Sequence, residues 1–285
     1  MGSMLRTASL RVLDARDRDR VDALLDADPV ANVFVASRVQ AAGFDSWRLG
    51  GELWGYVVDG RLESLCYAGA NLVPVQAGPD ALRAFADRAR RQGRRCSSLV
   101  GPADEVLALW AQLASAWGPA REVRARQPLM AVSSLPPSDA VPDDAVRRVR
   151  PDELGVVLPA CVAMFTEEVG VSPELGDGGA SYRARVGELV AAGRSFARIE
   201  DGRVVFKAEI GAVSRSACQV QGVWVAPDRR GEGLAVAGMA AVVRTCLAEV
   251  APVVSLYVND FNAPALAAYR RVGFQQVGTF ATVLF

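Results

Sequence analysis

The segment Val223-Trp224-Val225-Ala226-Pro227-Asp228-Arg229-Arg230-Gly231-Glu232-Gly233-Leu234-Ala235 runs from a strand pattern through a glycine-bearing loop into a helical pattern. Glycines in such a loop let successive backbone N–H groups turn inward, and the helix N-terminus adds partial positive charge. Together they can receive a pyrophosphate. Val236, Met239, Ala240, Val243, Leu247 and Val250 follow at helical spacing and form a core-facing stripe, so only the first turn of that helix is free for a ligand. A dinucleotide fingerprint would need a third glycine where Val236 stands, and a Walker loop would need Gly-Lys followed by Ser or Thr; both are missing. For a lone G-x-G, a turn with no ligand is the plainer alternative.

A second segment removes the ambiguity. The strand Ser255-Leu256-Tyr257-Val258-Asn259 leads into Asn262-Ala263-Pro264-Ala265-Leu266-Ala267-Ala268-Tyr269-Arg270-Arg271-Val272-Gly273-Phe274. Pro264 suits the first turn of a helix and Gly273 its C-terminal cap. Arg230-Gly231-Glu232-Gly233-Leu234-Ala235 resembles the R/Q-x-x-G-x-G/A acyl-CoA loop of the GNAT superfamily of N-acetyltransferases. Asn262 to Phe274 resembles that family's N-x-x-A-x-x-x-Y-x-x-x-G-F signature.

The resemblance implies acetyl transfer from acetyl-CoA to a primary amine by direct attack. It implies that the strand before the loop splays from the next parallel strand and that pantetheine lies in the gap. Val223, Trp224 and Val225 would line that gap, and the N–H groups from Arg230 through Gly231, Glu232, Gly233, Leu234 and Ala235 to Val236 would take the pyrophosphate. Asn262, with Ala265, would hold the pantetheine arm, and Tyr269 would protonate the departing thiolate. The chemistry agrees: the amine must be neutral, the oxyanion needs a donor such as a backbone amide near Val223 to Val225, and the sulfur needs a proton. Read by itself, Tyr269 is a half-buried helical tyrosine; its place in the signature makes it a catalytic candidate.

The general base has no such assignment. Several family members carry a glutamate on the strand before the loop, where this chain has Gln219 and Gln221 on one face and no carboxylate. The candidates are Glu167 and Glu168 where the first two helices meet, Glu209 on the preceding strand, and the terminal carboxylate of Phe285. Glu168 is the catalytic candidate. Glu167, Glu168, Glu209, Gln219 and Gln221 are expected to line the acceptor groove, although Glu209 and Lys207, two apart on one strand face, also read as an ion pair. Without a working base the chain would be a non-catalytic acetyl-CoA sensor, which is the alternative function.

Composition bounds these readings. The 285 residues are enough for two domains, and 51% apolar with 22% charged residues is a globular balance. Lys plus Arg and Asp plus Glu both number 32, with no separate basic block, which gives nucleic acid and anionic membranes no foothold. The absence of histidine rules out Ser-His-Asp and Cys-His nucleophilic pairs and His-containing zinc sites; no metal is expected. Five scattered cysteines without a C-x-x-C pair fit a reducing compartment, and no apolar run is long enough for a membrane span, so a cytoplasmic protein is expected. Its partners would be acetyl-CoA and an amine on a small molecule or a protein, in a monomer or homodimer.

The elements that must position these residues repeat. Each half reads as strand, two helices, a hairpin turned by Asp-Gly (Asp59-Gly60, Asp201-Gly202), a strand, a helix, a strand, a helix and a closing strand or hairpin. This predicts an α+β protein of tandem GNAT-like domains, each a mixed, mostly antiparallel sheet flanked by helices. The domains are expected at 4–134 and 147–285, joined by a Pro- and Ser-rich linker at 135–146. The first half lacks both signatures. Its corresponding segment, Val73-Pro74-Val75-Gln76-Ala77-Gly78-Pro79-Asp80, offers prolines where donors are needed, so it is expected to shape the acceptor groove or mediate association rather than bind CoA.

Overall fold

The fold was taken from a computed structural model, which describes residues 7–175 and 177–285. It divides into two compact units that are not contiguous in the chain. The first contains the residues up to Leu129 together with Tyr257–Phe261 and Gln276–Phe285. The second contains Met130–Leu256 and Asn262–Gln275.

In the first unit, β1 (Ala8–Val12), α1 (Arg18–Asp26), α2 (Val33–Ala42) and α3 (Ser46–Leu49) precede the hairpin β2 (Gly51–Val58) and β3 (Arg61–Gly69). There follow β4 (Asn71–Val75), α4 (Pro79–Gln92), β5 (Ser98–Pro102), α5 (Ala103–Trp117) and β6 (Glu122–Val132), whose last residues pass into the second unit. Asp59 and Gly60 both take positive φ, +48° and +79°, as a two-residue primed turn requires. Neighbouring strand residues face opposite layers. Leu53, Leu65 and Tyr67 pack with α1 and α2, while Trp54 and Cys66 pack with Phe85 of α4 and Leu109 and Leu113 of α5.

In the second unit, β7 (Arg147–Arg148), α6 (Leu154–Val169), α7 (Ala180–Ala191), β8 (Ser195–Glu200), β9 (Arg203–Val213) and β10 (Cys218–Val225) come first. α8 (Leu234–Glu249), β11 (Val254–Tyr257) and α9 (Ala263–Val272) complete it. The strands β7, β8, β9 and β10 pair antiparallel in that order, and β11 joins β10 in parallel. Val157, Ala160 and Cys161 of α6 and Val186 and Val190 of α7 pack on Ala197, Val204 and Trp224 of the sheet. On α8, a Cβ at Gly238 would lie 2.6 Å from the Phe206 ring, so this glycine is what lets the helix sit close to β9.

The end of the chain corrects an expectation. Residues 275–285 form no closing hairpin for the second domain. They make one strand, β12 (Gln275–Leu284), that pairs antiparallel with β5 from Phe280↔Pro102 to Leu284↔Ser98. Phe280, Ala281, Thr282 and Val283 are buried one after another, as in a strand covered on both faces, and Ala281 and Val283 join the α4/α5 core. The Phe285 ring lies against Trp110 and Trp117 in that same core.

Candidate functional site

The parallel pair β10 and β11 is short. Only Cys218↔Val254 and Gln219↔Ser255 are in register, and beyond Gln219 the edge of β10 facing β11 is open. On its other side β10 follows β9 from Cys218↔Val213 to Gln221↔Glu209 and resumes at Trp224↔Lys207, so Gly222 and Val223 have no partner on β9. Gly222 takes φ +58°, a conformation that suits glycine, and its carbonyl accepts a hydrogen bond from Lys207 Nζ at 3.1 Å. The isolated glycine in the Cys218 to Val225 strand was the sequence signal for this bulge.

Past Val225 the chain makes a short 3-10 turn and enters α8 at Gly233, which has φ +83° and no side-chain cap. The Arg230 N–H reaches Pro227 O at 3.5 Å and the Val236 N–H reaches Gly233 O at 3.0 Å. The N–H groups of Gly231, Glu232, Gly233, Leu234 and Ala235 meet no acceptor among the described residues. The expected run of donors from Arg230 to Val236 is therefore trimmed at both ends by local turn bonds. A Cβ at Gly231 or Gly233 would meet nothing within 4 Å, so this mouth is not plugged by side chains.

The side chains around the mouth are held in pairs. Arg229 bonds Glu200 at 2.6 Å and Glu232 at 2.7 Å, leaving only the backbone of Glu232 for the loop. Arg230 donates to the Val225 carbonyl at 3.2 Å and to Glu167 at 2.6 Å. Glu167 also accepts from the Trp224 indole at 3.1 Å. Glu167 thus ties the end of α6 to β10 and the loop, and a carboxylate so engaged is a brace rather than a free base.

Asn262 caps α9, its side-chain oxygen accepting from Ala265 N–H at 3.2 Å, which leaves its amide N–H groups free. Tyr269 on the same helix is 7% exposed and packs at 5.9 Å from the Phe274 ring. Its hydroxyl donates to no other described residue. Burial, reinforced by the negative charge of Glu168, pushes its phenol above the ordinary value of 10.0, so at neutral pH it carries its proton. Glu168 itself is exposed at the end of α6.

The remaining expected groove residues are Gln219, Gln221 and Glu209. Gln221 lies across the strand over Gly211, where a Cβ would come within 2.1 Å of its Oε1, and Gln219 is buried. Glu209 is buried against Lys207, with Oε1 2.7 Å from Nζ, and Cys161 Sγ donates to it at 3.4 Å. Burial pushes the Cys161 thiol up to about 12. Tyr182, which the sequence gave no reason to single out, donates to Cys161 O at 2.9 Å; burial and the nearby acidic groups Cys161, Glu209 and Glu168 raise its phenol as well.

The first unit repeats this geometry without its vacancy. β4 and β5 are also parallel over two residue pairs, Asn71↔Ser98 and Leu72↔Leu99. The turn into α4, however, is filled from within: Glu105 Oε2 accepts the Ala77 N–H at 3.0 Å, and the Gln76 amide also acts on this carboxylate. An internal anion takes the amides that a phosphate would need.

The fold is a tandem α+β arrangement in which each unit has a mixed sheet, helices on both faces and one short parallel pair. Residues 173–274, within the C-terminal half, match the family model described as acetyltransferase (GNAT) family. Residues 51–157 match a domain of unknown function, DUF4081. No curated protein matches the chain in sequence. Among solved structures, a Drosophila protein is similar at TM-score 0.66 with 13% identity, covering 97% of this chain and 98% of that one. An acetyltransferase from the GNAT family from Colwellia psychrerythraea is similar at 0.55, with 13% identity and coverage of 97% and 99%. A tandem GNAT protein from the clavulanic acid biosynthesis pathway is similar at 0.55, with 15% identity and 98% of each chain covered. Among the described residues no helix is long and apolar enough to cross a membrane.

Proposed function

We propose that the second unit binds acetyl-CoA and transfers its acetyl group to a primary amine by direct attack. The observation that carries this reading is the run of free N–H groups from Gly231 to Ala235 beside a parallel strand pair that opens after Gln219 and Ser255. The amides and the α8 dipole would hold the pyrophosphate. Pantetheine would lie along the open edge of β10 at Val223 to Val225 and meet the free amide of Asn262, the Val225 carbonyl coming free only if Arg230 lets go of it.

In this geometry the amine nitrogen attacks the thioester carbon and the carbon–sulfur bond breaks. The sulfur leaves with its electron pair and takes the proton of Tyr269, giving CoA thiol and the N-acetylated amine. The Gly222–Val223 peptide at the β10 bulge offers an N–H to the oxyanion. The amine's proton passes to water or to Glu168, the exposed carboxylate whose charge already reaches Tyr269. Glu167, braced by Trp224 and Arg230, orients the loop.

Calorimetry with acetyl-CoA is expected to give one site per chain, because Glu105 occupies the equivalent amides of the first unit. Two sites would contradict that assignment. Turnover of acetyl-CoA against a panel of small amines, peptide N-termini and lysine peptides tests the transfer itself. Binding without turnover on every amine would favour a sensor, which the lack of a carboxylate on β10 would then explain.

A further inference from the structure

Lys207 is the only lysine among the 32 cationic residues, and it is completely buried. An ammonium withdrawn from water needs partners to offset its lost hydration. Glu209 Oε1 stands 2.7 Å from it and the Gly222 carbonyl 3.1 Å, with the Cys161 thiol also alongside. Glu209 is held from behind by Cys161, and Tyr182 lies near enough to feel its charge. The acid neutralises the ammonium, but the carbonyl is not required for charge balance. The second contact falls on the peptide at the β10 bulge, between the registered pairs Gln221↔Glu209 and Trp224↔Lys207.

We propose that Lys207 is a positioning residue for acetyl transfer, its ammonium orienting and polarising the Gly222–Val223 peptide so that the Val223 N–H becomes the donor for the oxyanion. This rests on the acetyltransferase reading above. The peptide lies outside both ladders, past Gln219↔Ser255 on one side and between Gln221↔Glu209 and Trp224↔Lys207 on the other. A trans peptide points its C=O and N–H in opposite directions. With the carbonyl drawn toward Lys207 on β9, the N–H turns toward the open edge facing β11. Hydrogen bonds in series strengthen one another, so a full charge on the oxygen makes the distal N–H a stronger donor. Space beside this peptide is also limited: a Cβ at Gly222 would stand 3.1 Å from Met164 Cε, 3.2 Å from Lys207 Nζ and 3.3 Å from Glu209 Oε2. The compact ammonium matters here, since a planar guanidinium would need more room than this enclosure leaves.

The test removes the charge pair as a unit, with Lys207→Met/Glu209→Gln, so that no lone charge is left buried. The expected result is a kcat lower by roughly 10- to 100-fold, a weakened rather than deleted oxyanion donor, with acetyl-CoA affinity within about 2-fold of wild type. The distinguishing readout is the infrared stretch of the ketone carbonyl in a non-reactive ketone analogue of acetyl-CoA. Bound to wild type it should shift to lower frequency, and in the double variant that shift should be lost. A role in folding alone would leave the frequency of a bound analogue unchanged. Gly222→Ala, which pushes the same carbonyl off Lys207 from the backbone side, should lose the shift too and serves if the double variant does not fold. Wild-type frequency and kcat in both variants would overturn the proposal while leaving acetyl transfer standing. A wild-type protein that neither binds nor turns over acetyl-CoA would sink both.

Discussion

Tyr269→Phe is expected to lower kcat for acetyl transfer by about 100-fold while acetyl-CoA affinity stays within about 2-fold, the size of effect that a positioned general acid contributes. The substitution removes one oxygen from a side chain that is 7% exposed and donates to no described residue, and the ring contact with Phe274 survives. Folding should therefore be unaffected, and the loss should appear only where the thiolate departs. The pH profile sharpens the expectation. Burial and the Glu168 charge raise this phenol above its ordinary 10.0, so its protonated, active form persists to higher pH than for a free tyrosine. The wild-type kcat should rise with pH as the amine loses its proton and show no falling limb below about pH 10. Steady-state kinetics over that range check both statements; an unchanged kcat in the variant would remove Tyr269 from the reaction.

Gly233→Asp should weaken acetyl-CoA binding by about 100-fold, through repulsion of the phosphates and the cost of a side chain at positive φ. Gly233 has φ +83° and its Cβ would meet nothing within 4 Å, so the new carboxylate enters space that only a ligand would use. Gly233→Asn has nearly the same shape without the charge and separates the two contributions. If the mouth of α8 holds phosphates, Asn should cost far less than Asp, and the difference should shrink with added salt. Calorimetry at two salt concentrations reads this directly. Equal affinities for all three proteins would place the CoA elsewhere.

Local sequence was enough to find the mouth and the signature helix. The glycines at 231 and 233, Pro264 inside the first turn of α9 and Gly273 at its end act through backbone conformation within a few residues, and α9 runs from Ala263 to Val272 as its caps dictate. The Asp-Gly turns were legible for the same reason. What stayed hidden depends on partners far along the chain. Glu167 reads as a helix-end carboxylate until Trp224, 57 positions later, and Arg230, 63 positions later, take its two oxygens. Glu105 looks like an ordinary first-turn acid, although it fills the loop at Ala77. Alternation alone put Gln219 and Gln221 on one face of β10; the register shift between Gln219 and Val220 interrupts it, and Gln219 is buried while Gln221 lies over Gly211.

β12 was misplaced for a related reason, since a strand's own residues do not name the neighbour it will pair with. Its pairing has a temporal side. The ribosome makes this strand only after α9, yet its hydrogen bonds go to β5, made much earlier. Until residues 275–285 have been made, the amino-terminal unit has this edge of β5 uncovered and its native sheet is incomplete.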